Sequence, residues 1–318
     1  MDFLHLKKKL FISLVLGLVI FVILGLYSDF NKIMESVSRF DLRYLPVILM
    51  LAPLNYILRY VKWNYYLKIL KINIDSVDNA KIFTAGLSMT VTPGKLGEFL
   101  KSYLIKEFKG VSISVTSPMI VIERLTDGIS MIILASIGAL RFRYGIGALV
   151  SAVLLSAFFI AFIRIRPFAL RVIGFLKKMP VLKRIGVQMD AFYQSSYELL
   201  GIRTFSISVA IGILSWGFEG LVLFLTLKAF NHPISILSSV FVVAFSSIVG
   251  ALSMLPGGLV VAEGSILGLL LMMDLPKEIA SASTIVTRFS TLWLGVLIGI
   301  AGLVSVRKVL DKGKGEIS

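Results

Sequence analysis

Several ionisable side chains of this sequence lie inside long apolar segments. Glu98 and Glu263 each follow a proline-glycine break, and Arg124 and Arg288 follow those breaks at nearly the same distance. An ionised group at the centre of a bilayer costs on the order of 3 kcal/mol, so such residues are usually paired or functional. Because a guanidinium binds phosphate oxygens bidentately, we predict a polar cluster of these four residues with arginines available for a phosphate. A purely structural ion-pair network is the alternative.

The breaks themselves occur twice, as Pro93-Gly94 and as Pro256-Gly257-Gly258. Proline removes a backbone donor and disfavours helix in the residue before it, and glycine permits left-handed backbone. Unwound backbone is tolerated at membrane depth only where protein or a water-filled cavity surrounds it. Both motifs therefore predict interrupted helices in a protected site.

Each break is expected to lie within a helical hairpin, at 82–107 and at 235–273. The chain after each break, from Lys95 and from Leu259, is expected to restart as a helix whose free N–H groups attract an anion. Interrupted helices at corresponding places in two halves are typical of transporters that bind substrate near the membrane midplane and work by alternating access.

The composition indicates the surroundings of these motifs. Apolar residues make up 57% of the 318 residues, and the mean hydropathy is +0.91, which is more than a soluble core requires. We predict an all-α, polytopic integral membrane protein with six full transmembrane helices plus the two re-entrant or broken hairpins. The six spans are predicted at 10–26, 45–60, 118–140, 146–163, 205–227 and 279–306.

The basic residues, which give a net charge of +15, are concentrated in particular segments between the predicted spans. The positive-inside rule places these segments, and both termini, on the cytoplasmic side of the membrane. The charge is thus explained by topology, and no nucleic-acid partner is expected. With this threading the two halves have inverted topology. The chain is one domain: an anchor at 1–44, a first repeat plus span four at 45–165, a basic interfacial linker at 166–204, an inverted second repeat at 205–306 and a tail at 307–318.

Other polar residues receive simpler interpretations. Arg59 and Lys62 end the second span and are interpreted as interfacial anchors. Glu123 and Asp127 share a helix face, with Arg124 turned about 100° away, so that it need not pair with either and is free to face Glu98 or Glu263. The sequence contains no cysteine and two histidines, and we predict neither a metal nor a cofactor.

The motifs Thr-Pro-Gly-Lys-Leu-Gly-Glu at 92–98, Glu-Arg-Leu-Thr-Asp-Gly at 123–128 and Leu-Pro-Gly-Gly-Leu-Val-Val-Ala-Glu at 255–263 resemble those of the lysylphosphatidylglycerol synthase transmembrane-region family, also called flippase-like domain proteins. The resemblance covers nearly the whole chain. It implies that an anionic or modified lipid headgroup is handled between the repeats. The candidate substrate-binding residues are Pro93, Gly94, Lys95, Glu98, Lys101, Glu123, Arg124, Asp127, Pro256, Gly257, Gly258, Glu263 and Arg288.

The synthase members of that family continue into a soluble aminoacyl-transferase domain, whereas this chain stops at Ser318. We therefore expect no enzyme activity. The resemblance implies a flippase for an aminoacyl- or glyco-phospholipid or a polyprenyl-phosphate-linked lipid, working beside a separate lipid-modifying synthase or glycosyltransferase. Two alternatives remain open: a carrier or channel for ions or small solutes, and a membrane-embedded hydrolase or transferase using Glu123 and Asp127 as its acid/base pair.

Overall fold

The structure is a computed structural model that describes residues 3–27, 30–142, 146–167, 170–171, 173–174 and 186–315, and the described regular elements are all helical. Residues 168–169, 172 and 175–185 of the basic linker predicted to be interfacial lie outside the described residues. The α-helices are α1 (Phe3–Tyr27), α2 (Phe30–Ser38), α3 (Leu45–Ile69), α4 (Ser76–Leu87), α5 (Leu100–Lys109), α6 (Ile113–Phe142), α7 (Ile146–Arg164), α8 (Gly186–Leu199), α9 (Ile202–Ala229), α10 (Ile236–Leu252), α11 (Val261–Leu271), α12 (Lys277–Arg288) and α13 (Leu294–Gly315).

Among the described residues, three helical stretches are long and apolar enough to cross a membrane: Leu42–Ile69, Ile202–Ala229 and Lys277–Arg307. Shorter apolar helices accompany them, including Leu149–Arg164 and Ile236–Leu252. All six segments predicted as spans lie within these or other helices. The protein is therefore a polytopic, all-helical membrane protein.

One predicted boundary was wrong. The second span was expected to end near residue 60, but α3 continues to Ile69. The prediction failed because Arg59 and Lys62 were taken to mark the membrane surface. Both side chains are instead buried, with relative exposures of 7% and 0%, beside carboxylates of α6.

The helix that follows each break also starts later than predicted. Gly94 (φ 56°) and Lys95 (φ 55°) are left-handed, so the backbone forms a distorted 3-10 segment, Pro93–Phe99, before α5 begins. In the second break Gly257 (φ 61°) and Gly258 (φ 67°) are left-handed, and α11 begins at Val261. Left-handed residues do not continue a right-handed helix, so each break occupies several residues rather than one kink.

A second feature of the backbone also recurs. α3 ends in a turn with Lys71 left-handed at φ 55°, and α9 ends in the same kind of turn with Asn231 at φ 59°. The next helix is capped in both places: the Asp75 carboxylate accepts a hydrogen bond from a backbone N–H at 3.0 Å, as does the Ser235 hydroxyl at 3.0 Å. Side-chain oxygens at this position satisfy the free N–H groups of the first turn. Helix, left-handed turn, capped helix and break therefore follow in the same order twice.

The helices before the breaks pack on the opposite half of the chain. α4 lies along α13, α10 lies along α6, and α3 packs against α9. These contacts are close because glycine lies at the crossings: Gly299 leaves no room for a Cβ against Ser88, and Gly138 leaves none against Phe241. Small residues allow helix backbones to approach in this way in membrane proteins.

Candidate functional site

The two breaks touch each other. A Cβ on Gly94 would lie 3.2 Å from the Cε of Met254, and a Cβ on Gly257 would lie 3.4 Å from the Cα of Val91. The first break is held by the Thr92 hydroxyl, which accepts a hydrogen bond from the N–H of Gly97 at 2.8 Å. Two irregular segments that are far apart in the sequence are thus in direct contact.

A cavity of about 290 Å³ lies beside this meeting point. Both breaks contribute to its wall, together with α3, α6, α9, α10 and α12. It reaches the surface near Met254 and Leu255, whose side chains are exposed. The ionisable side chains in its wall other than Tyr56 are Arg59, Lys95, Arg124, Asp127, Glu219 and Arg288.

One ion cluster is centred on Glu123 of α6. Its Oε1 accepts hydrogen bonds from the Nη2 atoms of Arg59 at 3.0 Å and Arg124 at 2.7 Å, and its Oε2 accepts from the Nζ of Lys101 at 2.9 Å. Glu98 joins the cluster at 3.5 Å from both Lys101 and Arg124. Each buried charge therefore has opposite charges beside it, which offsets part of the cost of burial.

Asp127 extends this cluster, because it pairs with Lys62 of α3 and with the Nη2 of Arg124 at 3.1 Å. The prediction that Arg124 need not pair with the carboxylates of its own helix was wrong. Its long side chain folds back, so that its Nη2 atom contacts Glu123 and Asp127 as well as Glu98. The interpretation of Lys62 as an interfacial anchor was also wrong. A helical projection alone underestimates how far arginine and lysine reach.

The second ion pair belongs to Arg288 and Glu263. The Nε of Arg288 donates to Oε1 of Glu263 at 2.5 Å, and its Nη2 donates to the carbonyl oxygen of Gly257 at 2.9 Å. The predicted single cluster of two glutamates and two arginines is therefore divided in two. In the described residues Arg124 pairs with Glu98 and not with Glu263, and each arginine pairs within its own half. Both arginines nevertheless border the same cavity.

A π-helical turn, Phe289–Trp293, follows Arg288 and joins α12 to α13. The Tyr56 hydroxyl donates to the carbonyl oxygen of Thr291 in this turn at 2.6 Å. The wider i to i+5 spacing of a π turn changes the pattern of backbone bonds and is frequent at functional sites. The sequence contains no evident signal for it.

Two charged residues of the cavity stand apart from the ion pairs. The Nζ of Lys95 lies 5.9 Å from the ring centroid of Trp216, and in the described part of the chain no carboxylate lies within ion-pair distance of it. Glu219 accepts a hydrogen bond from the Nδ2 of Asn55 at 2.7 Å. Lys95 was predicted as a site residue, whereas Glu219 and Asn55 were not.

Sequence reasoning missed three residues of α3 that reach this site: Asn55, Arg59 and Lys62. They were interpreted as packing or interfacial residues, yet their spacing of four and then three positions places them on one helix face. A polar stripe on an otherwise apolar span was the signal that would have identified them.

Fold and site together define a polytopic membrane protein with a charged cavity between two interrupted helices. Residues 14–299 match the family described as "Lysylphosphatidylglycerol synthase TM region", and the chain belongs to this family. A UPF0104 membrane protein of Pyrococcus horikoshii is 22% identical over 333 residues, covering 95% of this chain and 98% of the relative. One from Methanocaldococcus jannaschii is 26% identical over 230 residues, covering 71% of this chain and 97% of the relative.

Proposed function

We propose that this protein moves a lipid with an anionic headgroup between the leaflets of the membrane, and that the headgroup binds in the cavity between the two breaks. The observation that carries the proposal is the convergence of Lys95, Arg124 and Arg288 on that cavity. Arginine and lysine are the side chains that bind phosphate most readily. An aminoacylated or glycosylated phospholipid or a polyprenyl-phosphate-linked lipid presents such a phosphate.

The charges around the cavity favour an anion. Lys95 is available because its ammonium group contacts an aromatic ring rather than a carboxylate in the described residues. The side chains that line the cavity, together with all those connected to them through ion pairs, carry one more positive than negative group. The cations are Arg59, Lys62, Lys95, Lys101, Arg124 and Arg288, and the carboxylates are Glu98, Glu123, Asp127, Glu219 and Glu263.

The rim of the cavity suits the apolar part of a lipid. Met254 and Leu255 line the cavity while remaining 64% and 41% exposed, and Leu96 beside Lys95 is 64% exposed. An exposed apolar rim next to a charged interior matches a molecule with a charged head and hydrocarbon chains. In this proposal the head enters the cavity while the chains stay at the rim.

The proposed topology has six full spans, with two hairpins that re-enter the membrane and the two halves inverted, and with both termini in the cytoplasm of a prokaryotic cell membrane. The recurrence of turn, cap and break supports two related halves. The packing of each pre-break helix on the opposite half supports alternating access by movement of one half against the other.

Transport is favoured over catalysis by the state of the candidate acid/base pair. Glu123 and Asp127 are each paired with at least two cations, so neither is placed to exchange a proton with a substrate. We therefore propose that any lipid-modifying synthase or glycosyltransferase is a separate partner.

Lipid exchange in proteoliposomes tests the proposal. Fluorescent phosphatidylglycerol in both leaflets should become fully accessible to an external quencher when the protein is present, and only half accessible in empty liposomes. The exposed Arg39→Gln variant serves as a control, since Arg39 directly follows α2 and its side chain is 77% exposed. Exchange no faster than in empty liposomes would contradict the proposal, and solute uptake without lipid exchange would favour a solute carrier.

A further inference from the structure

Glu219 differs from the other carboxylates around the cavity. Glu98, Glu123, Asp127 and Glu263 each lie within 4.0 Å of a lysine or arginine nitrogen. In the described part of the chain Glu219 has no such partner, although it lies in the cavity wall. Its contact is a neutral amide, the Nδ2 of Asn55 at 2.7 Å.

The orientation of that amide is fixed. The hydroxyl of Ser215 donates to the Oδ1 of Asn55 at 2.6 Å, which leaves the Nδ2 to face Glu219. Asn55 and Ser215 are both buried. An amide donor binds a carboxylate oxygen, and it binds the carbonyl oxygen of a protonated carboxyl as well. The site therefore accommodates Glu219 in either protonation state without rearrangement.

The charged and titratable groups that face Glu219 come from three other elements. They are Tyr56 and Arg59 on α3, Lys95 in the first break and Arg288 on α12. Lys95 and Arg288 are also among the cations that the proposed headgroup engages. A phosphate that binds these cations neutralises part of their positive charge, so they stabilise the negative charge of the Glu219 carboxylate less. The bound phosphate then favours a proton on Glu219.

We propose that Glu219 binds a proton that travels with the anionic headgroup, an inference that rests on the proposed lipid transport. The Glu219 carboxylate takes up one proton from water that enters the cavity from one side of the membrane. It releases that proton to the other side as the headgroup leaves. By linkage, headgroup binding and protonation favour each other equally. One singly charged headgroup and one proton carry no net charge, so the pH gradient and not the membrane potential drives this transport.

The first test measures the final leaflet distribution of fluorescent phosphatidylglycerol in proteoliposomes with a pH gradient. The wild type should enrich the probe in the leaflet that faces the alkaline side. Glu219→Gln should abolish this enrichment, Glu219→Asp should retain it, and the exposed control Glu35→Gln should behave as the wild type. Enrichment that persists in Glu219→Gln overturns the inference. Exchange without any response to the gradient overturns the inference alone, whereas absence of exchange overturns the proposed function as well.

A second test needs no variant. Short-chain phosphatidylglycerol added to the wild-type protein in weakly buffered detergent should cause uptake of protons, followed with a soluble pH indicator. Diacylglycerol, which lacks the phosphate, should cause none. Equal proton uptake with the two lipids, or none with either, contradicts the inference.

Discussion

The Nη2 of Arg288 donates a hydrogen bond to the carbonyl oxygen of Gly257 at 2.9 Å. The same guanidinium pairs with Glu263 at 2.5 Å, so one side chain ties the second break to the helix that follows it. Its planar fork makes both bonds at once, which a lysine ammonium cannot do with the same geometry. Arg288 thus shapes the break and borders the cavity.

Replacing Arg288 should therefore affect folding and transport together. Arg288→Ala leaves Glu263 buried and unpaired, and we expect a loss of about 3–5 kcal/mol in the free energy of unfolding. The double variant Arg288→Gln/Glu263→Gln removes both charges and should be more stable than Arg288→Ala. Thermal unfolding in detergent measures the difference. A double variant no more stable than the single one would show that the ion pair is not what fixes this contact.

The pair of Lys62 and Asp127 should behave as a buried structural pair. Lys62→Met leaves Asp127 with Arg124 as its partner and should cost about 1–3 kcal/mol, while Lys62→Met/Asp127→Leu should recover much of that loss. The matched control is Lys68→Met on the exposed face of the same helix, with an expected change within about 0.5 kcal/mol. Equal losses for Lys62→Met and Lys68→Met would contradict the burial of Lys62.

A variant of Lys95 can test headgroup binding without destabilising the fold, because the backbone of Lys95 is left-handed and its side chain lacks a carboxylate partner in the described residues. A left-handed conformation costs a non-glycine residue about 1–2 kcal/mol. Lys95→Gly should therefore leave the protein as stable or more stable by up to about 1 kcal/mol, while the exchange of fluorescent phosphatidylglycerol falls. Thermal unfolding and the exchange assay are measured on the same preparation.

The matched control for that variant is Lys71→Gly. Lys71 has the same φ of 55° but lies on an exposed turn away from the cavity. It should show the same gain in stability with unchanged exchange. If both glycine variants retained wild-type exchange, Lys95 would have no part in headgroup binding.

Stability and lipid exchange should both depend on the backbone conformation of the first break. Gly94→Ala forces an alanine into φ 56°, with its Cβ 3.2 Å from Met254, and should cost about 1–2 kcal/mol and slow exchange. Gly110→Ala has a similar φ of 69° but meets no described heavy atom within 4 Å. It should cost similar stability without slowing exchange. Equal exchange rates in the two variants would show that the conformation of the first break does not affect transport.

The sequence predicted the features that depend on local chemistry. Apolar runs located the helices, and Pro93 and Pro256 located the breaks, because hydropathy and proline act through neighbouring residues. It named Glu98 as a candidate partner of Arg124, which the structure confirms, but it did not predict the contacts with Glu123 and Asp127, because these depend on the reach of a flexible side chain. The depth of Lys62 was missed because a basic residue near a helix end resembles an anchor until its carboxylate partner on another helix is known.

The most direct test of the central claim, that the cavity binds an anionic headgroup, uses a single introduced cysteine. The sequence has no cysteine of its own, so labelling of Ala251→Cys, in the cavity wall, has no background from other thiols. Short-chain phosphatidylglycerol should slow its reaction with a water-soluble thiol reagent, diacylglycerol should not, and Lys71→Cys on the exposed turn should react equally in both. Reaction of Ala251→Cys at the same rate with either lipid would contradict headgroup binding in this cavity.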